Sequence, residues 1–314
     1  MAALFVWFTM RWFQGKALGD AAIRLLHAPY MLLLMTAGYG LSFWLKALSW
    51  RLYAGREKLD PLRHYMHPLF VSLLINHVLP VKAGDLARTG LYVRSTSVRW
   101  DDALHSVAAM RVLDMASLLL IGSAGALMLG LETSPRYGVV LGMGVLAAGA
   151  AWFGLERLRR GGGRRRGRME ALSGLALRHY EHLRTTLASG RGAMAALLTF
   201  ACWLLEGAVV YGVARALGLS VNPLQAVWAT GMTIAGQVFH ITPGGIGTYE
   251  TTLTASLGVL GIAGSAAYTA ALLSHGYKFV FAYVTGTLSI VLTAVTWTEL
   301  RGWLRLRRRE GHGE

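Results

Sequence analysis

Two short segments of this 314-residue chain combine proline, glycine and a carboxylate within apolar sequence. The first covers Asn76–Asp85 and the second covers Thr242–Glu250. In each segment a proline stands four positions before a glycine and a carboxylate follows: Pro80, Gly84 and Asp85 in the first, Pro243, Gly247 and Glu250 in the second. Proline removes a helix hydrogen bond and glycine weakens a helix, so each segment predicts a broken helix.

A basic residue follows each break within the next long apolar segment. Arg111 lies 31 positions after Pro80, and Lys278 lies 35 positions after Pro243. A charged side chain is costly in hydrocarbon and usually faces a cavity or a partner. Asp114 is placed three residues after Arg111, where the two could simply pair. Function and structural ion pairing are therefore the two interpretations of Asp85, Glu250, Arg111, Asp114 and Lys278.

The second break also predicts an anion site at the N-terminus of a helix. Thr242 is a good N-cap residue, and Pro243 suits the first helical position. The backbone N–H groups of Gly244, Gly245 and Ile246 would then be unpaired and would carry the positive end of the helix dipole. Such an end attracts anions, and in a membrane the obvious anion is a lipid phosphate.

Other polar residues near the breaks are open to two interpretations. Lys82 and Arg88 either face a phosphate or reach a membrane interface with their long side chains. Glu206 is either a helix-packing acid or a proton-linked group. Three histidines occur in these regions, at His77, His240 and His275. They lack the spacing of metal ligands, so we predict polar contacts within a bundle, with no metal and no cofactor.

The elements that must position these residues are membrane helices. Hydrophobic residues make up 54% of the chain and charged residues only 15%, with a mean hydropathy of +0.44. A soluble domain averages about 25% charged residues. Stretches such as Met31–Leu45, Leu118–Gly130 and Val280–Val295 carry no charge, which is typical of membrane spans. This composition excludes disorder, and the single cysteine, Cys202, excludes a disulfide scaffold or a cysteine zinc site.

The predicted spans fall into two halves. The first half contains Pro29–Trp50, about Ala103–Leu131, and Tyr137–Leu155, whereas Pro68–Leu79 is too short to cross. The second half contains Ala193–Leu217, a helix opened by Asn222 and Pro223, and apolar helices that continue past the second break to Trp297. The predicted fold is an all-α integral membrane protein: a polytopic helical bundle with two broken or re-entrant helices and an inverted repeat.

Positive charge, 31 Lys+Arg against 16 Asp+Glu, is concentrated in short tracts between apolar segments. The tracts Arg157–Arg168 and Arg301–Arg309 hold seven and five arginines, so the positive-inside rule places both on the cytoplasmic side of the inner membrane. This pattern indicates topology rather than binding to nucleic acid. We predict an interfacial segment at 1–28, one membrane domain at 29–298 with halves 29–155 and 191–298 joined by 156–190, and a basic tail at 299–314.

These residues, in this order, resemble the two signatures of the flippase-like membrane family named for the transmembrane region of lysylphosphatidylglycerol synthase. The first signature is matched by Asn76, Pro80, Gly84, Asp85, Arg88, Arg111 and Asp114, and the second by Pro243, Gly244, Gly245, Gly247 and Glu250. The resemblance covers about Ala17 to Thr298 and includes the membrane module without the soluble synthase domain. Lys278 stands where such proteins commonly carry arginine, which keeps a charge but removes bidentate phosphate recognition.

What the resemblance implies is a polytopic inner-membrane protein with re-entrant segments that moves, or helps to move, a polar or charged lipid. The substrate-binding candidates are Asn76, Lys82, Asp85, Arg88, Arg111, Asp114, Gly244, Gly245, Glu250 and Lys278, with structural breaks at Pro80, Gly84, Pro243 and Gly247. If both breaks face one cavity, Asp85 and Glu250 should lie close together there, flanked by Arg111 and Lys278.

Three hypotheses follow for the function. The first is a flippase-like transporter for a phospholipid, an aminoacyl-phospholipid or a polyprenyl-phosphate-linked lipid, with Asp85 and Glu250 as gating or proton-linked carboxylates. Because no Walker A pattern is present, its energy would come from a gradient or from a partner that consumes the lipid. The second is a membrane-embedded head-group transferase with Asp85 or Glu250 as general base. The third is a non-catalytic membrane subunit that partners a lipid-synthesising enzyme.

Overall fold

The computed structural model of the chain describes residues 2–54, 60–79, 83–131, 177, 180–181, 183–237, 242–296 and 298–303. All regular structure in these ranges is helical. The helices are α1 (Ala2–Trp12), α2 (Gly15–Leu26), α3 (Pro29–Ala54), α4 (Arg63–Val78), α5 (Gly84–Thr96), α6 (Trp100–Met128), α7 (Gly190–Ala216), α8 (Pro223–Gly236), α9 (Thr248–Val259) and α10 (Gly264–Thr293), with a 3₁₀ turn at Pro243–Gly245.

Four of these helices, α3, α6, α7 and α10, are long and apolar enough to cross a membrane. They contain 26 to 30 residues, and about 20 residues suffice to span the hydrocarbon core. The all-α membrane bundle is therefore confirmed, and so are the spans predicted from Pro29, Ala103 and Ala193 onward. The span predicted at Tyr137–Leu155 and the tract Arg157–Arg168 lie outside the described residues. The inverted repeat and the re-entrant course of the chain stay predictions.

Among the described helices, α3 and α7 make the most extensive contact with each other. The two helices run antiparallel, because Gly38 lies against Ala208 while Ser49, further along α3, donates a 2.7 Å hydrogen bond to the carbonyl of Ala195. A Cβ at Gly38 would be 2.5 Å from the Cβ of Ala208. Small residues at such a contact allow two membrane helices to approach closely.

The first break joins α4 to α5, which fold back on each other as a hairpin. Asn76 contacts Gly84 near the break, and Tyr65 packs against Tyr92 at the other end, so the two helices run antiparallel. At 16 and 13 residues they are about 24 and 20 Å long, shorter than the hydrocarbon core. Gly84 allows the close approach, because a Cβ there would be 2.4 Å from the carbonyl oxygen of Ser72.

The second break joins α8 to α9 through the 3₁₀ turn. Gly244 and Gly247 adopt positive φ angles of 61° and 85°, which glycine reaches without strain. The turn packs against α4, and α9 packs against α8 and α10. The second break therefore lies beside the helix that leads into the first one.

Candidate functional site

A cavity of about 170 Å³ lies between the two breaks. Asn76 and His77, which precede the first break, line this cavity together with Gly244 of the second break. The charged residues that line it are Lys46, Arg88, Arg111, Asp114, Glu206 and Lys278. Asp85 and Glu250 contact the lining residues Arg111 and His275, so each lies one side chain away from the cavity. The two breaks thus share one polar cavity and do not lie on opposite faces of the bundle.

Arg111 of α6 is held by Asp85 at the start of α5. The Nε and Nη2 atoms of Arg111 donate hydrogen bonds of 3.0 and 2.9 Å to the two carboxylate oxygens of Asp85. This bidentate geometry is the strongest form of an arginine–carboxylate pair. The pair ties the first break to α6, and it occupies the acid that one hypothesis treated as a general base.

Asp114 lies one helical turn after Arg111 but has a different main partner. Its side chain is almost fully buried. Its Oδ1 atom forms an ion pair with Lys46 Nζ at 3.1 Å and accepts a hydrogen bond from Trp203 Nε1 at 3.0 Å. The Arg111 guanidinium is 3.9 Å from the other oxygen. The i,i+3 pairing expected from the sequence is therefore only a secondary contact, and Asp114 chiefly joins α6 to α3 and α7.

Lys278 of α10 pairs with Glu206 of α7. The Nζ atom donates a 3.1 Å hydrogen bond to Glu206 Oε2, and both side chains are buried. The ammonium group also lies 5.1 Å from the ring centre of Tyr39 and 5.5 Å from that of Tyr249. Glu206 is thus an ion-pair partner, and Lys278 does not pair with the carboxylate of the second break.

Glu250, the carboxylate of the second break, contacts His275 instead. Its Oε1 atom is 2.7 Å from His275 Nδ1, and its Oε2 atom accepts a 2.7 Å hydrogen bond from the backbone N–H of Gly247. The other ring nitrogen of His275 is 3.0 Å from the carbonyl oxygen of Gly244. The ring stacks on Tyr249, with centroids 4.2 Å apart. His275 therefore makes the intra-bundle polar contacts expected of it and links α10 to both ends of the turn.

The prediction of an open helix N-terminus at the second break is wrong for Gly245 and Ile246, whose backbone N–H groups are already bonded. The N–H of Gly245 donates to the carbonyl of Thr242 at 3.0 Å, and the N–H of Ile246 donates to that of Pro243 at 3.1 Å. The Thr242 hydroxyl donates to the Ile246 carbonyl and does not cap a helix. The positive φ angles of the glycines curl the backbone into a 3₁₀ turn that uses these N–H groups itself. Substrate binding by Gly244 and Gly245 stays a prediction, without that mechanism.

Arg88 of α5 is the lining cation that the described residues leave without an ion-pair partner. It is 3% exposed, and its guanidinium carbon lies 3.8 Å from the ring centre of Trp50. Its Nε and Nη2 atoms have no hydrogen-bond partner within the described ranges. Burying a cation costs several kcal/mol unless an anion and hydrogen bonds compensate. Arg88 is thus the group in this cavity best suited to receive an external anion.

Three site residues escaped the sequence analysis. Lys46 was overlooked although it lies inside an apolar span, where any charge is informative. Trp203 and Tyr39 carry no sequence signal, because aromatic residues are common in membrane helices. Asn76 and Gly84, by contrast, are joined by a 2.9 Å hydrogen bond from the Gly84 N–H to the Asn76 side chain. Lys82, Pro80 and His240 lie outside the described residues.

Fold and site together define a multi-pass α-helical membrane protein with a charged cavity between two helix breaks. Residues 1–286 match the family described as the lysylphosphatidylglycerol synthase TM region, and the chain belongs to that family. It is also similar to Glycosyltransferase AglD of Haloferax volcanii, with 24% identity over 273 residues. That similarity covers 73% of this chain and 43% of the relative, so the chain matches less than half of the relative's length. No solved structure matches the chain.

Proposed function

We propose that this protein binds the anionic head group of a membrane lipid in the central cavity and moves that lipid across the inner membrane. The observation that carries the proposal is Arg88, a buried cation on the cavity wall with no carboxylate partner among the described residues. Its planar guanidinium matches a phosphate oxygen pair in geometry and charge. The lipid tails would stay in the bilayer while the head group crosses between the breaks.

The charges around the cavity support an anion. Lys46 pairs with Asp114, Arg111 with Asp85, and Lys278 with Glu206. The contact between Glu250 and His275 adds no net charge if the two share one proton. Among the described residues, four cations then face three carboxylates, and the cation without an ion-pair partner is Arg88. A zwitterionic head group would bring its own cation into this surplus of positive charge, so we expect the site to prefer lipids with a net negative charge.

The family and the relative both support a role in envelope-lipid metabolism. The family is named for a membrane region of a phospholipid-modifying synthase, and the relative is named as a glycosyltransferase. The family and the relative admit an anionic phospholipid, an aminoacyl-phospholipid or a polyprenyl-phosphate-linked sugar. The charge of the cavity favours the first and the third, because the ammonium group of an aminoacyl-phospholipid cancels its phosphate charge. The relative's name also favours the head-group transferase as second candidate. The contacts of the two carboxylates count against a transferase. Asp85 accepts from two guanidinium nitrogens of Arg111, and Glu250 is held by His275 and Gly247, so neither carboxylate is open to act as a general base.

Reconstitution into liposomes tests the proposal. Vesicles of phosphatidylcholine containing a trace of fluorescent phosphatidylglycerol would be treated with a membrane-impermeant quencher, and the accessible fraction followed with time. The protein should accelerate exchange of phosphatidylglycerol over empty vesicles and over the Arg88→Gln variant. Exchange at the empty-vesicle rate, for phosphatidylglycerol and for polyprenyl phosphate alike, would contradict transport. Formation of a modified head group by the purified protein would instead support the transferase.

The orientation in the membrane needs a separate test. We expect the tracts Arg157–Arg168 and Arg301–Arg309 on the cytoplasmic side, because clustered arginines resist translocation. Cys202 is buried and donates to the carbonyl of Thr199, a bond that serine can keep, so Cys202→Ser gives a suitable cysteine-free background. Single cysteines introduced into either tract should react with an impermeant maleimide only after the membrane is opened. Reaction in intact cells would overturn the topology.

A further inference from the structure

The second break contains a hydrogen-bond arrangement that requires a shared proton. A backbone carbonyl can only accept, so the His275 nitrogen 3.0 Å from the Gly244 oxygen must carry a hydrogen. The other nitrogen is 2.7 Å from Glu250 Oε1, and two lone pairs at that distance would repel. A proton therefore lies between His275 and Glu250, either on the ring or on the carboxyl group. We call these two side chains the proton dyad.

The dyad is attached to the backbone of the break on both sides. His275 donates to the carbonyl of Gly244, and Glu250 accepts from the N–H of Gly247. Without the shared proton, the ring has one hydrogen for two acceptors and must release either Glu250 or Gly244. Proton loss is thus a local event that loosens the turn between α8 and α9 from α10.

The surroundings of the dyad are buried and contain few compensating groups. Glu250 and His275 are 5% and 3% exposed. The ionisable groups that face them from the packed elements are His77 of α4, Tyr249 of α9, Tyr268 and Lys278 of α10, and Glu206 of α7. Helix α1 contributes Thr9, which bonds the Tyr268 hydroxyl. Lys278 is already balanced by Glu206, so a charge change on the dyad is not cancelled locally.

We propose that the proton dyad is a proton-binding site and that a proton and the anionic head group bind to this protein together. With the proton bound, four cations face three carboxylates among the described residues at the cavity, and the surplus charge attracts an anion. After proton loss Glu250 becomes the fourth carboxylate and the surplus disappears. The coupling to transport rests on the proposed function and supplies its energy source, a proton gradient. Because coupling is reciprocal, lipid binding must be accompanied by proton uptake wherever the dyad is deprotonated.

Binding measurements on the purified full chain test this directly. Titration of short-chain phosphatidylglycerol into detergent-solubilised protein would be followed calorimetrically between pH 5 and pH 10, with short-chain phosphatidylcholine as the neutral probe. One unit charge at ~10 Å and an effective permittivity of ~20 changes the affinity by roughly tenfold or somewhat more. Affinity for phosphatidylglycerol should be highest at low pH, where the dyad holds its proton, and should fall by about that factor as pH rises. Repeating the titration in buffers of different ionisation enthalpy should show uptake of up to one proton per lipid.

Glu250→Gln is the sharpest variant, because glutamine reproduces the protonated acid. Its amide N–H can donate to His275, and its carbonyl oxygen can accept from Gly247, so all contacts of the turn persist without a titratable carboxyl. This variant should bind phosphatidylglycerol with the same affinity across the pH range and take up no proton. Glu299→Gln is the matched control. Glu299 also accepts a hydrogen bond from a backbone N–H three residues before it, that of Thr296, and this bond lowers the pKa of its carboxyl. Its side chain is 35% exposed, however, and it lies beyond α10.

Transport under a pH gradient separates this inference from the proposed function. Proteoliposomes with an acidic exterior should move fluorescent phosphatidylglycerol inward faster than vesicles without a gradient, and Glu250→Gln should remove that difference. If wild type neither binds nor moves the lipid at any pH, the proposed function fails. If it binds and moves the lipid in an Arg88-dependent way, but without proton uptake or pH dependence, the function stands and the proton coupling is wrong. The proton-uptake measurement uses the wild type alone, so it can contradict the proposal even if Glu250→Gln misfolds.

Discussion

The two breaks place a carboxylate at the start of a helix, yet they hold it with different chemistry. At the first break Asp85 accepts hydrogen bonds from two guanidinium nitrogens of Arg111, a side chain that keeps its charge near neutral pH. At the second break Glu250 is held through a proton shared with His275. The contact between Asp85 and Arg111 is therefore permanent near neutral pH, whereas the contact between Glu250 and His275 can be broken by proton loss. We expect movement of the bundle to occur at the second break, with the α4–α5 hairpin as the rigid side.

The two breaks also differ in how their backbone is held. The first break is closed by side-chain and packing contacts, through Asn76 and the close approach of Gly84 to Ser72. At the second break two consecutive backbone hydrogen bonds, donated by Gly245 and Ile246, close the turn, and its glycines have positive φ. A turn of this kind keeps its own N–H groups satisfied, so it can move as a unit without exposing unpaired backbone to lipid.

The largest effect should come from Arg88, which has no ion-pair partner among the described residues of either break. Arg88→Gln should weaken phosphatidylglycerol binding by about ten- to a hundredfold, the value of hydrogen bonds to a charged group. Arg88→Met should lose the same binding yet leave the lipid-free protein equally or more stable to heat, because a buried uncompensated cation is destabilising. Size-exclusion chromatography after heating in detergent measures the stability. Arg94→Gln is the control for binding, because it removes an arginine that lies away from the cavity, pairs with Glu299 and donates to the carbonyls at the end of α10. Reduced heat stability of Arg88→Met would indicate a structural arginine instead.

Gly84→Ala tests the packing of α5 against α4 at the first break. The added methyl would be 2.4 Å from the Ser72 carbonyl oxygen, a backbone atom, so α5 must move away from α4 and strain the Asn76 bond. We expect a loss of about 2–3 kcal/mol in the free energy of unfolding, from overpacking and the weakened hydrogen bond. Titration with SDS measures it. Gly276→Ala, where a Cβ meets open space within α10, should be neutral or slightly stabilising.

The second break can be tested by Gly244→Ala. This substitution forces alanine to a φ of 61° and places its Cβ 2.5 Å from the Phe279 ring. The strain costs about 1–2 kcal/mol, and the ring can give way in part. Gly218→Ala isolates the strain, because Gly218 has a φ of +74° and no neighbour within 4 Å of an added Cβ. The difference in the free energy of unfolding between the two variants reports on the packing of the turn against α10. Equal losses would show that the turn is not held by Phe279.

The smallest effect is expected for a charge-preserving change at the second break's cation. Lys278→Arg keeps a cation near Glu206, so it should lower phosphatidylglycerol transport by only a few-fold. Arg111→Ala should lower it more, because it removes a charge and leaves Asp85 without its bidentate partner. Initial rates in proteoliposomes at one pH compare the two. A larger loss for Lys278→Arg would mean that the second break, not the first, binds the head group.

The sequence alone determined the membrane bundle, the spans that begin near Pro29, Ala103 and Ala193, and the positions of both breaks. Apolar helices longer than the hydrocarbon core have few alternatives in lipid, and proline with glycine interrupts a helix wherever they occur. It also marked Asp85, Arg88, Arg111, Glu250 and Lys278, because ionisable residues in such segments are rare and costly.

Only the tertiary structure decided which charges pair and which one stays alone. Lys278 and Glu206 lie on α10 and α7, 72 positions apart, and no local spacing links them. The sequence equally favoured an open anion site at Gly244–Ile246, which the φ angles of the glycines replaced with a closed turn. Pairing across a bundle depends on how helices pack, and packing is set by side-chain contacts such as Gly38 against Ala208 that carry no chemical signature. Arg88 itself is visible in the sequence. That it has no ion-pair partner among the described residues is a property of the fold.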